Sequence, residues 1–137
     1  MISARDKVAG IVWVPRMLDK IRLRAKGELP ADFQANVGKG FDLRCVRFLG
    51  VSHDAVVERV LKGETDEQVI AWCLQNGSRP TEDQILIWNE FMSKRGWRDT
   101  DSPAAKLQEH KEKSGLGQRD DIMTFFDYYD VDEGRRP

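Results

Sequence analysis

Residues 65–72 read TDEQVIAW and residues 81–88 read TEDQILIW, nearly one phrase written twice, sixteen positions apart. Each copy sets a Thr three residues ahead of a Gln, at the mouth of an apolar pattern with helical spacing. In that arrangement Thr65 or Thr81 accepts a bond from an otherwise orphaned backbone N–H, and Gln68 or Gln84 reaches back to the cap's own N–H. The intervening acids, Asp66, Glu67, Glu82 and Asp83, suit the positive end of a helix dipole. Val69, Ile70, Cys73 and Leu74 then share one side of the first helix, as do Ile85, Trp88, Phe91 and Met92 on the second. Gly77 is expected as a left-handed C-cap, with Pro80 blocking any continuation. An offset of sixteen is too short for a solenoid unit, which needs roughly 20–50 residues. The repeat is therefore the grammar of starting a helix, and it constrains fold far more than function.

The same punctuation runs through the rest of the chain. Glu58–Lys62, Glu90–Lys94 and Glu109–Lys113 are acid-to-base pairs at i, i+4, a spacing that supports helices by roughly 0.2–0.5 kcal/mol each and strands not at all. Pro15 suits the first turn of a helix through PRMLDKIRLRAK to Gly27, with Val14, Met17, Leu18, Ile21 and Ala25 on one face. KIRLRAK alone alternates like a strand, but the upstream Met17-Leu18, the helix-forming residues and the closing glycine favour helix. Residues 27–41 form the longest irregular stretch. Asp42 is placed as the cap of a helix ending at Gly50, and Ser52 as the cap of one ending at Gly63. Ser102-Pro103 opens a polar helix ending at Ser114-Gly115, and Asp120 or its neighbour starts a last one carrying Ile122, Phe125, Phe126 and Tyr129. No confident strand appears. The expectation is an all-α chain: a single domain over residues 1–137, built as an irregular bundle of about seven helices, with a frayed tail from Asp130.

Several motifs together, RDKVAGIVWVPRMLDKIR, FLG, DEQVIAWCLQNG, WNEFMSKRGWRD and RDDIMTFFDYYDVDEGR, give the chain its resemblance to a bacterial family, domain-of-unknown-function family 5069. The resemblance spans nearly the whole chain. The stretch before Asp42 departs most from the family's pattern, which there carries a Tyr- and Cys-containing segment ahead of Pro-Leu-Asp. The resemblance implies no activity, so it carries no catalytic residue onto this sequence.

Composition narrows the chemistry. Charged residues make up 33% of the chain, yet 22 bases and 23 acids nearly cancel to −1, which argues against a nucleic-acid binder dependent on a summed positive field. The opening MISARDKVAG lacks the apolar run of a signal peptide, and no stretch approaches the ~20 apolar residues of a membrane span. Cys45 and Cys73 sit in apolar patterns and read as buried thiols of a cytoplasmic protein. Neither metal nor cofactor is expected: His53 and His110 lie on different helices, no CxxC or HExxH spacing occurs, and the calcium-like start DVDEG lacks its later ligands. Gly38-Lys39-Gly40 reads as a turn rather than a phosphate loop, and a Cys45–His53 nucleophile pair would have to leave apolar surroundings. The basic run Lys20, Arg22, Arg24, Lys26 steps by 200° on a helix, so it is expected to flank the apolar face in solvent.

Two constellations remain as candidate ligand sites. Arg16 and Asp19 point away from the first helix's apolar face, beside Leu23. They make either an ion pair covered by the 27–41 stretch or a cleft for a carboxylate or other anion. Trp88, Asn89, Arg95 and Trp97 belong to the later twin helix, whose wide apolar arc suggests a central position. There Arg95 is expected to stack on aromatics, to bond Asp120-Asp121, or to contact a ligand. The leading functional expectation is a non-catalytic helical module for a small polar metabolite or a protein partner. The alternatives are an enzyme using Asp6, Asp19, Asp42 or Asp120 as acid or base, and a homo-oligomer associating through Leu23, Trp97 and the central aromatics.

Overall fold

The computed structural model describes residues 1–137. Two two-residue strands, β1 (Lys7–Val8) and β2 (Ile11–Val12), precede eight helices: α1 (Val14–Ala25), α2 (Ala31–Gln34), α3 (Phe41–Leu49), α4 (His53–Leu61), α5 (Asp66–Asn76), α6 (Glu82–Lys94), α7 (Pro103–Lys113) and α8 (Phe125–Asp132). The fold is all-α apart from that one small antiparallel hairpin. The hairpin escapes the sequence because it is so short. Its turn is Ala9-Gly10, both at positive φ, the geometry that two-residue hairpins favour. The eighth helix is the single turn α2 inside the irregular stretch.

The twin phrases do what their chemistry dictates. Thr65 N–H donates to Gln68 Oε1 at 2.9 Å and Gln68 N–H to Thr65 Oγ1 at 3.2 Å. Thr81 and Gln84 repeat the exchange at 2.8 and 3.2 Å. All three Glu-to-Lys pairs close. Ser52 caps α4 by accepting from Ala55 N–H at 3.1 Å.

Other boundaries differ from expectation. α3 starts at Phe41 behind Gly40, so Asp42 lies inside the first turn and is buried rather than capping. The last helix starts at Phe125, capped by Thr124, while Asp120 and Asp121 lie in a turn and Ile122 and Met123 are irregular. Gly77 is not left-handed: its φ is −116°. Glycine is needed there for another reason. A Cβ at Gly77 would fall 2.2 Å from the Leu49 carbonyl oxygen and 2.9 Å from Val51 Cγ1, and that same carbonyl accepts from Ser78 N–H at 2.8 Å.

The chain forms two compact units, Met1–Leu86 and Ile87–Pro137. In the first, α1 packs on α4 and on β1, and α4 also meets α3 and α5. Ile11, Val14, Met17, Leu18, Leu49, Val56 and Val69 are its most deeply buried apolar residues. In the second, α7 packs on α8, with Leu107, Ile122, Phe125 and Phe126 buried. Gly96, at φ 100°, brings the backbone after α6 so close that a Cβ would meet Leu107 Cδ2 at 2.9 Å. Arg119, Asp121, Asp127 and Arg136 form an ion-paired group that reaches the C-terminal residues.

α6 is not the centre its apolar arc suggested. Trp88 and Met92 are buried, but Leu86 and Ile87 remain 58% and 65% exposed. The width of an apolar arc says how much of a helix tolerates burial, not how much is covered. α1 is the covered helix in its unit, and it buries cations to be so.

Gly77→Ala is expected to destabilise the protein by about 1–3 kcal/mol, the usual cost of overpacking, seen as a lower urea midpoint with an unchanged slope. An unchanged midpoint would mean that the close approach to Leu49 is not maintained in solution.

Candidate functional site

α1 begins under strain. Its N-cap is Trp13, at φ 76° and ψ −31°, a region costly for a bulky side chain, of order 1–3 kcal/mol. The strained backbone aims the indole inward. Trp13 Nε1–H donates to Asp42 Oδ1 at 2.8 Å, and the Phe41 ring meets the indole edge-on at 5.0 Å.

Asp42 is fully buried, yet three donors converge on it. Besides the indole, Lys20 Nζ and Gly38 N–H reach Oδ2 at 2.8 and 3.0 Å. A lone carboxylate could not be held at zero exposure, but one that is ion-paired and hydrogen-bonded can. Lys20 is buried with it and stands 5.5 Å from the Trp13 ring centroid. This overturns the solvated basic run. Lys20 points into the unit, Arg22 bonds Asp66 Oδ1 and the Glu64 carbonyl, and only Arg24 and Lys26 are exposed. The 200° step distributes these charges around the helix, and on the inward side Asp42 supplies the counter-charge.

Arg16 and Asp19 are brought together on one residue. Arg16 Nη1 donates to the Ile2 carbonyl at 3.0 Å, and Asp19 Oδ2 accepts from Ile2 N–H at 2.9 Å. The Arg16 guanidinium is only 1% exposed as part of its residue. It lies 5.5 Å from the Trp13 ring and 5.7 Å from that of Phe33. Phe33 belongs to the 27–41 stretch, so that stretch does cover Arg16.

His53, the first residue of α4, sits at the margin of this cluster. Its ring lies against Gly38, where an added Cβ would come within 3.0 Å of Nδ1, and its Nε2 is buried with no hydrogen-bond partner. Cys45 is sealed nearby on α3. Burial first, and then the Asp42 charge, push its thiol well above the usual range. Burial likewise lifts Cys73 to about 11. Both thiols are protonated at neutral pH and therefore weak nucleophiles. No group of three His, Cys, Asp or Glu side chains is placed to hold a metal ion, and no helix is long and apolar enough to cross a membrane.

The second constellation only partly assembles. Trp88 is buried, Asn89 half-buried, and Trp97 is 48% exposed beneath the Arg98 guanidinium. Arg95 stacks on Phe91 at 4.8 Å as expected, but its acids are Asp99 and Asp101 rather than Asp120-Asp121. Nη1 donates to Asp99 Oδ1 at 3.0 Å and Asp101 Oδ1 at 3.1 Å, while Nη2 reaches Asp101 Oδ2 at 2.8 Å. The cause is local. Gly96 at φ 100° and Arg98 at φ 54° fold the chain back after α6, returning these acids to the guanidinium. Asp121 is taken by Arg119 and Arg136, which hold its carboxyl down to about 2.

Residues outside both candidate constellations thus form the better-built site: Trp13, Lys20, Asp42 and His53. Lys20 did carry a signal, since it lies three residues from Met17 and next to Ile21 within the apolar pattern. Asp42→Asn is expected to cost about 3–5 kcal/mol, the usual result of stranding one member of a buried pair. Asp42→Leu combined with Lys20→Met should cost less than Asp42→Asn alone. Urea denaturation of both variants checks this, and equal losses would mean that the pair is not buried in solution.

No curated protein and no solved structure matches the chain. A family match covers residues 1–135, nearly its full length. By that match the chain belongs to the family described as Domain of unknown function (DUF5069).

Proposed function

We propose that this chain is a non-catalytic helical module, working in the cytoplasm, that binds a small polar metabolite at the N-terminal half of α1. The carrying observation is that Arg16, Lys20 and Asp42 are all buried in one unit around a strained tryptophan. Packing alone would favour apolar residues at such positions, because a buried ion pair is often neutral or costly against an apolar replacement. Backbone strain of this kind persists where the surroundings over-determine it, and it concentrates at ligand-binding positions.

Two cations flanking one indole, with Phe33 and Phe41 around them, suit a ligand that combines an anionic group with a flat or apolar body. Arg16 is the group for a carboxylate, in keeping with its fork of donors. A non-catalytic role is supported by the engagement of Asp42 with three donors and by two protonated thiols. The buried free cysteines suit a reducing compartment.

A thermal-shift screen of carboxylate and phosphate metabolites tests the reading. At least one compound should stabilise the wild type, by about 2.7 kcal/mol at one hundred times its Kd. That stabilisation should vanish in Arg16→Lys, which keeps the charge and loses the fork. Silence across a broad panel overturns the proposal.

A second reading rests on α6, where Leu86 and Ile87 stay exposed. Asp83 and Lys94 lie at opposite ends of the same side of that helix, an arrangement suited to an antiparallel second copy of the chain. Sedimentation should then show concentration-dependent dimerisation that Ile87→Asp abolishes. A monomer at every concentration removes this reading.

A further inference from the structure

We propose that His53 is a pH latch on the strap of residues 30–40, closing it over the Arg16–Lys20–Asp42 cluster when neutral and releasing it when protonated. The proposal rests on the reading of that cluster as the binding site and names how the site is opened.

The strap is held by few contacts. α2, within it, has no buried residue, and Ala31, Asp32, Gln34, Ala35, Asn36, Lys39 and Gly40 are exposed. Two of its contacts face the cluster: Phe33 against the Arg16 guanidinium at 5.7 Å, and Gly38 N–H on Asp42 Oδ2 at 3.0 Å. Such a segment belongs to the low-stability end of a fold, where local opening is easiest.

His53 sits under the second of these contacts. Atoms of its ring lie 3.0 to 3.3 Å from where a Gly38 Cβ would stand, so a side chain there would crowd the ring, and the φ of 78° at Gly38 favours glycine as well. The geometry suits the neutral ring with its proton on Nδ1. Nε2 is buried and meets no hydrogen-bond partner. In the imidazolium both nitrogens carry a proton, so Nε2 becomes a buried donor with nothing to receive its proton.

The charged groups facing the ring do not supply the missing acceptor. Asp42 from α3 and Asp54 from α4 favour the cation, while Lys20 and Arg24 from α1 oppose it. Asp42 is already committed to Trp13, Lys20 and Gly38. Burial is the largest influence and holds the imidazole below its ordinary 6.5. The sign follows by linkage. A histidine whose pKa is lowered in the closed form binds its proton more tightly once the strap is open, so acid favours opening. Closure is complete above about pH 6.5 and is lost as pH falls through the depressed value. Moving Gly38 away uncovers the Nδ1 side of the ring and also removes one donor from Asp42, which exposes the cluster to a ligand.

Hydrogen–deuterium exchange of the full chain without ligand, at pH 7.5 and pH 5.0 and corrected for intrinsic amide rates, reads the latch directly. Peptides covering residues 30–40 should lose protection at the lower pH, because the open form binds the proton more tightly. His53→Gln, which cannot be protonated there, should show no such loss. Equal losses in wild type and variant, or none in the wild type, overturn the proposal. Should the variant fail to fold, an NMR titration of His53 in the wild type decides. A midpoint below 6.5, with residues 33–40 shifting in step, supports the latch, and a midpoint at or above 6.5 sinks it. Neither measurement contains a metabolite, so a silent ligand screen bears on the binding reading alone.

Discussion

The Lys20–Asp42 pair ties together several parts of the first unit. It joins the middle of α1 to the first turn of α3, and through Gly38 it anchors the segment between them. At 2.8 Å and an effective dielectric near 20, the attraction is about 6 kcal/mol. Removing each ion from water costs several kcal/mol. The terms are comparable, so the pair adds little net stability. What it adds is geometry: a carboxylate receiving two donors from α1 and its cap and a third from the following segment accepts one arrangement of those segments and penalises others. Trp13 carries the cost of that arrangement in its backbone.

The fold was legible to the extent that local rules decide it. Capping boxes at Thr65 and Thr81, the hydroxyl cap at Ser52 and the proline openings of α1 and α7 are each settled within a few residues, and the structure follows them. Reading failed where a distant partner changes a residue's meaning. Asp42 has the chemistry of a cap, and only the arrival of Trp13 and Lys20, 29 and 22 positions away, turns it into a core acid. Gly77 looks like a helix-ending glycine, but its reason for being glycine is the carbonyl of Leu49 on another helix. Lys20 was assigned to solvent by a rule about exposed charges that holds unless an acid is buried opposite.

The candidate site was legible in part for the same reason. Arg16 and Asp19 were visible because two charges facing away from an apolar stripe require some cover, and Phe33 and the Ile2 backbone provide it. What they cover was not visible. The cluster draws on α1, the strap, α3 and the start of α4, and its residues range from Trp13 to His53. No spacing rule links a tryptophan at 13 to an aspartate at 42.

Arg95 shows the contrast that separates structural burial from a candidate site. It too is a buried cation stacked on an aromatic ring, but its acids lie four and six residues further along, returned to it by one turn. Such a closure is a local solution to ending a helix with a buried charge, and it needs no other element. The α1 cluster is assembled mainly by contacts between distant residues, and it holds a bulky tryptophan that donates to the cluster's acid in a strained conformation. Stability alone is served more cheaply by the first kind of arrangement. The second kind suits the binding reading proposed above, in which the thinly held strap lies over the strained cluster.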